Sequence, residues 1–80
     1  MTRELMPLHE LPVGRRGKVM QIKATGAARR RMLDLGLTFS AEVAALLKSP
    51  TGDPTAYLIR GAVIALRAQD ASQILITPAN

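Results

Sequence analysis

Cysteine and tryptophan are absent from this 80-residue chain, and histidine, phenylalanine and tyrosine occur once each, as His9, Phe39 and Tyr57. Without cysteine there is neither a disulfide framework nor a thiolate metal site, and the lack of disulfides fits a reducing cytoplasm. One histidine leaves a zinc site or a nucleophile–histidine pair without its remaining members, so His9 reads as a surface residue at a turn. Two aromatic side chains are too few for modules that stack bases or grip proline-rich peptides. The longest apolar runs, Val43–Leu47 and Ala62–Leu66, fall far short of the roughly 20 residues that span a bilayer. The N-terminus lacks the charged-then-apolar pattern of a signal peptide. The expectation is a soluble, cytoplasmic protein with no membrane insertion.

What is present is enough for one small domain. Eleven basic against six acidic residues give a net charge of +5, with arginines clustered at Arg15-Arg16 and Arg29-Arg30-Arg31. This balance favours an acidic partner: nucleic acid, an anionic membrane surface or an acidic protein face. The acids Glu4, Glu10, Asp34, Glu42, Asp53 and Asp70 are scattered over separate elements, and nothing marks a general acid/base pair. Gly14-Arg15-Arg16-Gly17-Lys18-Val19 lacks the Gly-Lys-Ser/Thr ending of a phosphate loop and leads into a strand. The methionines need no role beyond filling a core. No catalytic residue, metal ligand or cofactor site is assigned, and the chain reads as a non-enzyme.

Residues 1–7 read as a flexible tail, 8–77 as the domain and 78–80 as a second tail. Leu8-His9-Glu10-Leu11 fits one helical turn closed by Pro12 and Gly14. Residues 17–24 alternate imperfectly, with Val19 and Ile22 apolar, and read as a strand. Ala27–Leu35 holds no Pro or Gly, and Ala28, Met32 and Leu35 share one helical face. Arg30 and Asp34 stand at i, i+4 for an exposed ion pair. Gly36 occupies the left-handed cap position, with Leu37 folding back on the helix end. Further strands are predicted over Glu42–Lys48, Thr55–Arg60, Ala62–Arg67 and Gln73–Thr77, with a tight hairpin at Gly61 and a helical turn at Asp70-Ala71-Ser72. In "KSPTGDPTAY", Pro50 and Pro54 stop and restart the flanking strands, Gly52 supplies a positive φ, and Asp53 bonds nearby backbone amides. That stretch reads as a structural turn. About five short strands with one inserted helix argue for a small, mainly β barrel.

The run Arg31-Met32-Leu33-Asp34-Leu35-Gly36-Leu37 resembles the R-L-x-x-L-G-L signature of the FeoA-type domain. "LHELPVGRRGKVMQI", "SPTGDPTAYLIRG" and "IALRAQDASQILI" are similar to three further segments of that family, in the same order. The resemblance covers Leu8 to Thr77 and implies a small SH3-like β-barrel that acts as a cytoplasmic accessory of ferrous iron uptake. It implies as partner the FeoB-type permease, a membrane protein with a cytoplasmic GTPase domain, and leaves self-association and transition-metal binding open. A related barrel closes some iron-dependent repressors, but no DNA-binding half is seen here. Where the family commonly has Pro-Gly, this chain has Phe39-Ser40, and Ser is strained at a positive φ. Phe39 either covers one end of the barrel core or is an exposed contact for a partner. The candidate partner surface comprises Arg29, Arg30, Met32, Leu33, Leu37 and Phe39, with the arginines steering an acidic partner. The alternative is a small basic RNA- or DNA-binding barrel, supported by the charge and opposed by the lack of aromatics.

Overall fold

The computed structural model describes residues 4–79 as β1 (Met6–Pro7), a 3-10 turn (Leu8–Glu10), β2 (Arg16–Ile22), α1 (Gly26–Asp34), β3 (Glu42–Lys48), β4 (Thr55–Ile59), β5 (Ala62–Leu66), α2 (Ala68–Ala71) and β6 (Ile74–Ala79). The strands form one antiparallel sheet in the order β1-β6-β2-β3-β4-β5. Alternate residues turn inward, as period-two patterning requires: Val43 and Ala45 on β3, Tyr57 and Ile59 on β4, Ile74 and Ile76 on β6 are all buried. Leu8, which opens the 3-10 turn, and Leu11, which follows it, complete the same core with Met32 and Leu37. Tyr57 is the only aromatic in it. Its hydroxyl lies 3.5 Å from the Leu8 carbonyl oxygen, a long contact. Burial pushes the hydroxyl above its ordinary pKa; the Asp53 carboxylate adds to the rise and a hydrogen bond with Thr55 works against it.

The imperfect alternation of β2 has a structural cause. The β2–β6 register shifts between Val19 and Gln21, so Met20 is an extra residue and Ile22 returns to the core side. A second shift, between Ala45 and Leu47 on β3, leaves Leu46 as the extra residue. Such bulges bend their strands, which helps a small sheet wrap around its core.

The end of α1 follows the cap expected at Gly36. Gly36, at φ 102°, donates its amide to the Leu33 carbonyl at 3.0 Å, and Leu37 donates to Met32 at 3.1 Å. These two bonds form the Schellman arrangement, with Leu37 and Met32 buried together beneath the helix end. Along α1 itself only Met32 is buried; Ala28, placed on the same face from its spacing, is exposed and Leu35 is half-buried. No Arg30–Asp34 pair forms among the described residues. Arg31 instead reaches Asp70 at 3.1 Å and ties α1 to α2, a link between distant segments that spacing along one helix does not reveal.

Two expectations about the ends of the chain are corrected. Met6 and Pro7 are not tail: they pair with Ile76 and Leu75 as the edge strand β1, where proline's missing donor costs little. Pro78 and Ala79 extend β6 and pair with Gly17 and Arg16. Residues 1–3 and 80, also read as tail, lie outside the described residues. A two-residue strand carries no periodicity, so six strands stand where about five were expected.

The turn between β3 and β4 closes through Gly52, φ 88°, whose amide donates to the Ser49 carbonyl at 2.8 Å. Asp53 has a wider reach than its own turn. Its Oδ1 accepts the Ala68 amide at 2.7 Å, at the first residue of α2, and its Oδ2 lies 3.7 Å from Arg67. It therefore satisfies a helix-end donor, the task of an N-cap. Asp53→Ala is expected to cost about 1–2 kcal/mol, the usual loss for a cap or a charged hydrogen bond. Thermal melts check this; an unshifted midpoint removes Asp53 from the fold's supports.

Candidate functional site

The loop from α1 to β3 is a tight turn pinned against β2. Ala41 donates its amide to the Thr38 carbonyl at 3.0 Å, closing a turn with Phe39 and Ser40 at its centre. Ser40 donates to the Val19 carbonyl at 2.7 Å, and Val19 donates to Ala41 at 2.9 Å. Ser40 has φ 71°, the left-handed conformation that a type II turn demands at its third position and that glycine adopts freely. Ser40→Gly is expected to raise stability by about 0.5–1 kcal/mol, as relief of left-handed strain outweighs the added freedom of the unfolded chain. The denaturant midpoint measures it, and a fall would mean that the serine side chain supports the turn.

With Ser40 and Ala41 bonded inward to β2, Phe39 is left on the crest of the turn. It is 71% exposed, the most exposed large apolar side chain among the described residues. The reading that it covers the end of the core is corrected: Leu37, fully buried two residues earlier, already fills that place. Phe39 stands between two hollows. One, of about 240 Å³, is lined by β2 residues together with Arg29, Leu33 and Phe39, and has Leu37 at its floor. The other is an open groove of about 590 Å³ that runs over Ala44 and Leu58 to Arg60 and Gly61, with Arg16 at its side. Arg60 donates to the Thr38 hydroxyl at 3.0 Å and so braces the Phe39 turn from the β4–β5 hairpin. Arg29 donates to the Ile22 carbonyl at 3.2 Å, holding its guanidinium over the smaller hollow.

Of the six predicted contact residues, Arg29, Leu33 and Phe39 come together around the smaller hollow, and Arg30 is exposed on the same helix. Met32 and Leu37 do not reach the surface, at 2% and 0% exposure, and serve the core. They sit at the two positions joined by the helix cap, so the motif that contains them is largely a packing motif. Arg16, Leu58 and Arg60 line the larger groove and were not singled out; strand register brings them together, and no local pattern signals it. His9 is half-buried in the 3-10 turn, with Nδ1 lacking a hydrogen-bond partner and Nε2 3.9 Å from Glu10. Among the described residues no three of His, Cys, Asp and Glu gather into a metal-holding group, and no helix is long and apolar enough to cross a membrane.

The profile of the FeoA domain matches residues 6–78. The chain belongs to the FeoA family. The FeoA protein of Chlorobium tepidum is 35% identical, superposes with a TM-score of 0.87, and is matched over 94% of this chain and 71% of its own. The zinc complex of FeoA from Stenotrophomonas maltophilia, described as a procaryotic SH3 domain protein, is 29% identical with a TM-score of 0.79, over 89% of this chain and 88% of that one. The fold is thus the SH3-like barrel of FeoA proteins. A fusion of Fe(2+) transport protein A with the Fe(2+) transporter FeoB, from Porphyromonas gingivalis, is 29% identical over 69 residues. That match covers 86% of this chain and 8% of the fusion protein. In FeoA terms, Phe39-Ser40 fills the two central turn positions where the family commonly has Pro-Gly, and the left-handed φ at Ser40 explains why glycine suits the second.

Proposed function

We propose that this FeoA-family chain is a non-catalytic accessory of ferrous iron transport that docks, on the cytoplasmic side, onto an FeoB-type permease. The observation that carries the reading is the Porphyromonas relative, in which an FeoA-like segment and FeoB share one chain. A covalent link holds two modules at high effective concentration, which is useful when they act on one another. The docking surface is Phe39 with Leu33, flanked by Arg29 and Arg30 on the open face of α1. An exposed aromatic beside a shallow hollow and next to arginines has the make-up of an interface hot spot, and the arginines suit an acidic partner.

The test is binding of Phe39→Ser to the cytoplasmic part of the permease, together with ferrous iron uptake. Affinity is expected to fall about tenfold or more, as for a hot-spot side chain, with the melting temperature unchanged. Unchanged affinity and uptake would move the interface elsewhere. Failure of the unaltered protein to bind, with and without guanine nucleotide, would overturn the partner itself.

A further inference from the structure

The two borders of the sheet are unlike. On one side β1 is two residues long and contains Pro7, both of which discourage another strand from pairing. On the other side β5, Ala62–Leu66, is five residues long and, among the described residues, pairs only with β4. It carries no charge, no proline and no bulge, the usual guards of an edge.

The hairpin geometry specifies which groups the edge presents. Arg60 and Gly61, at φ 49° and 87°, form a two-residue turn with both centres left-handed. In such a hairpin the flanking pair, here Ile59 and Ala62, exchanges both hydrogen bonds. Alternation then directs the backbone groups of Ile64 and Leu66 to β4, and those of Val63 and Ala65 to the open side. The side chains beside them continue an apolar outer face. Val63, 66% exposed, neighbours Leu58, which neighbours Ala44; Ala65 neighbours Ala56, which neighbours Leu47.

Charge at the two ends of β5 selects the occupant. Arg60 precedes the strand and Arg67 follows it, both exposed; Arg60 is hydrogen-bonded to Thr38, and Arg67 lies 3.7 Å from Asp53. A second copy paired antiparallel along β5 would bring arginines of both chains together at each end, in a chain of net charge +5, and like charges so placed are unfavourable. We infer that the β5 edge accepts, by strand addition, an extended segment of a partner protein with apolar residues in its centre and carboxylates at its ends. Main-chain bonds to Val63 and Ala65 supply the pairing, and the flanking guanidiniums supply register and choice of sequence. This site does not rest on the permease reading.

The probe is a synthetic peptide of alternating valine and threonine with paired glutamates at each end, followed by amide hydrogen exchange of the full chain. Without peptide, the Val63 and Ala65 amides exchange freely. With it, their exchange slows about tenfold or more, and a lysine-ended peptide with the same centre binds at least about tenfold more weakly. Ala65→Pro, which removes an edge donor, and Val63→Glu, which repels carboxylates at an exposed position, each abolish the protection; Phe39→Ser leaves it intact. Four results would overturn the inference: protection already present in the dilute free chain, protection that rises with chain concentration alone, equal binding of the lysine-ended peptide, or indifference to both β5 substitutions.

Discussion

Tyr57→Ala is expected to cost about 3–5 kcal/mol, the usual loss when a large aromatic is cut from a core. An 80-residue domain has only about 4–12 kcal/mol of stability in total, so the loss takes from about a quarter of it to the whole. The argument rests on how little else fills the centre. Tyr57 heads the fully buried side chains by volume, and around it stand Leu, Ile, Val, Met and Ala. The other aromatic, Phe39, is spent on the surface. A wall of small aliphatic side chains held by paired strands cannot close over the lost ring, so most of the void persists. Tyr57→Phe separates ring from hydroxyl: with the hydroxyl at a long 3.5 Å from its acceptor, its loss should cost only about 1 kcal/mol. Calorimetry of both variants checks the pair; similar losses in the two would shift the weight from packing to the hydroxyl.

Gly17→Ala is the second large effect, at about 3 kcal/mol, toward the upper end for overpacking. A Cβ at Gly17 would lie 2.8 Å from the Ile76 Cδ1 atom and 2.9 Å from the Thr77 carbonyl oxygen. The isoleucine methyl can swing aside, but the carbonyl belongs to β6, which pairs with β2 throughout this region. Relief therefore requires separating two strands in the middle of the sheet. Arg16→Ala, one residue away and exposed, is the control and should change stability by no more than about 0.5 kcal/mol. Denaturant titration compares them, and equal midpoints would mean that β6 yields more easily than its pairing suggests. The glycine that gave "GRRGK" a passing likeness to a phosphate loop is thus present because a neighbouring backbone needs the space.

Much of this fold was legible because its signals are local. Pro50 and the lack of a helix N-cap marked Glu42–Lys48 as the strand β3, Gly36 marked the helix stop through its φ, and Gly61 marked the hairpin. Even the faulty alternation of Val19 and Ile22 was informative, since a bulge at Met20 is what reconciles it with one buried face. What escaped notice depends on segments that meet only after folding. β1 is too short for any period, and Arg31 finds Asp70 across 39 residues of chain. Phe39 is the instructive case for the site: the general tendency of phenylalanine toward burial lost to a turn that Ser40 and Ala41 pin to Val19 of β2. Met32 and Leu37 failed in the opposite direction, since a helix cap needs its apolar pair underneath.

The pairing of Met6 with Ile76 has a topological consequence. Strands from the two ends of the sequence lie side by side, so the backbone traces a nearly closed ring. Linking the outer ends of β1 and β6 and reopening the ring at the exposed Thr51-Gly52 tip would preserve every strand pair while placing β4 to β6 ahead of β1 to β3 in synthesis. By the same geometry the module can be spliced into a host loop whose two ends are close together, without forcing the host apart.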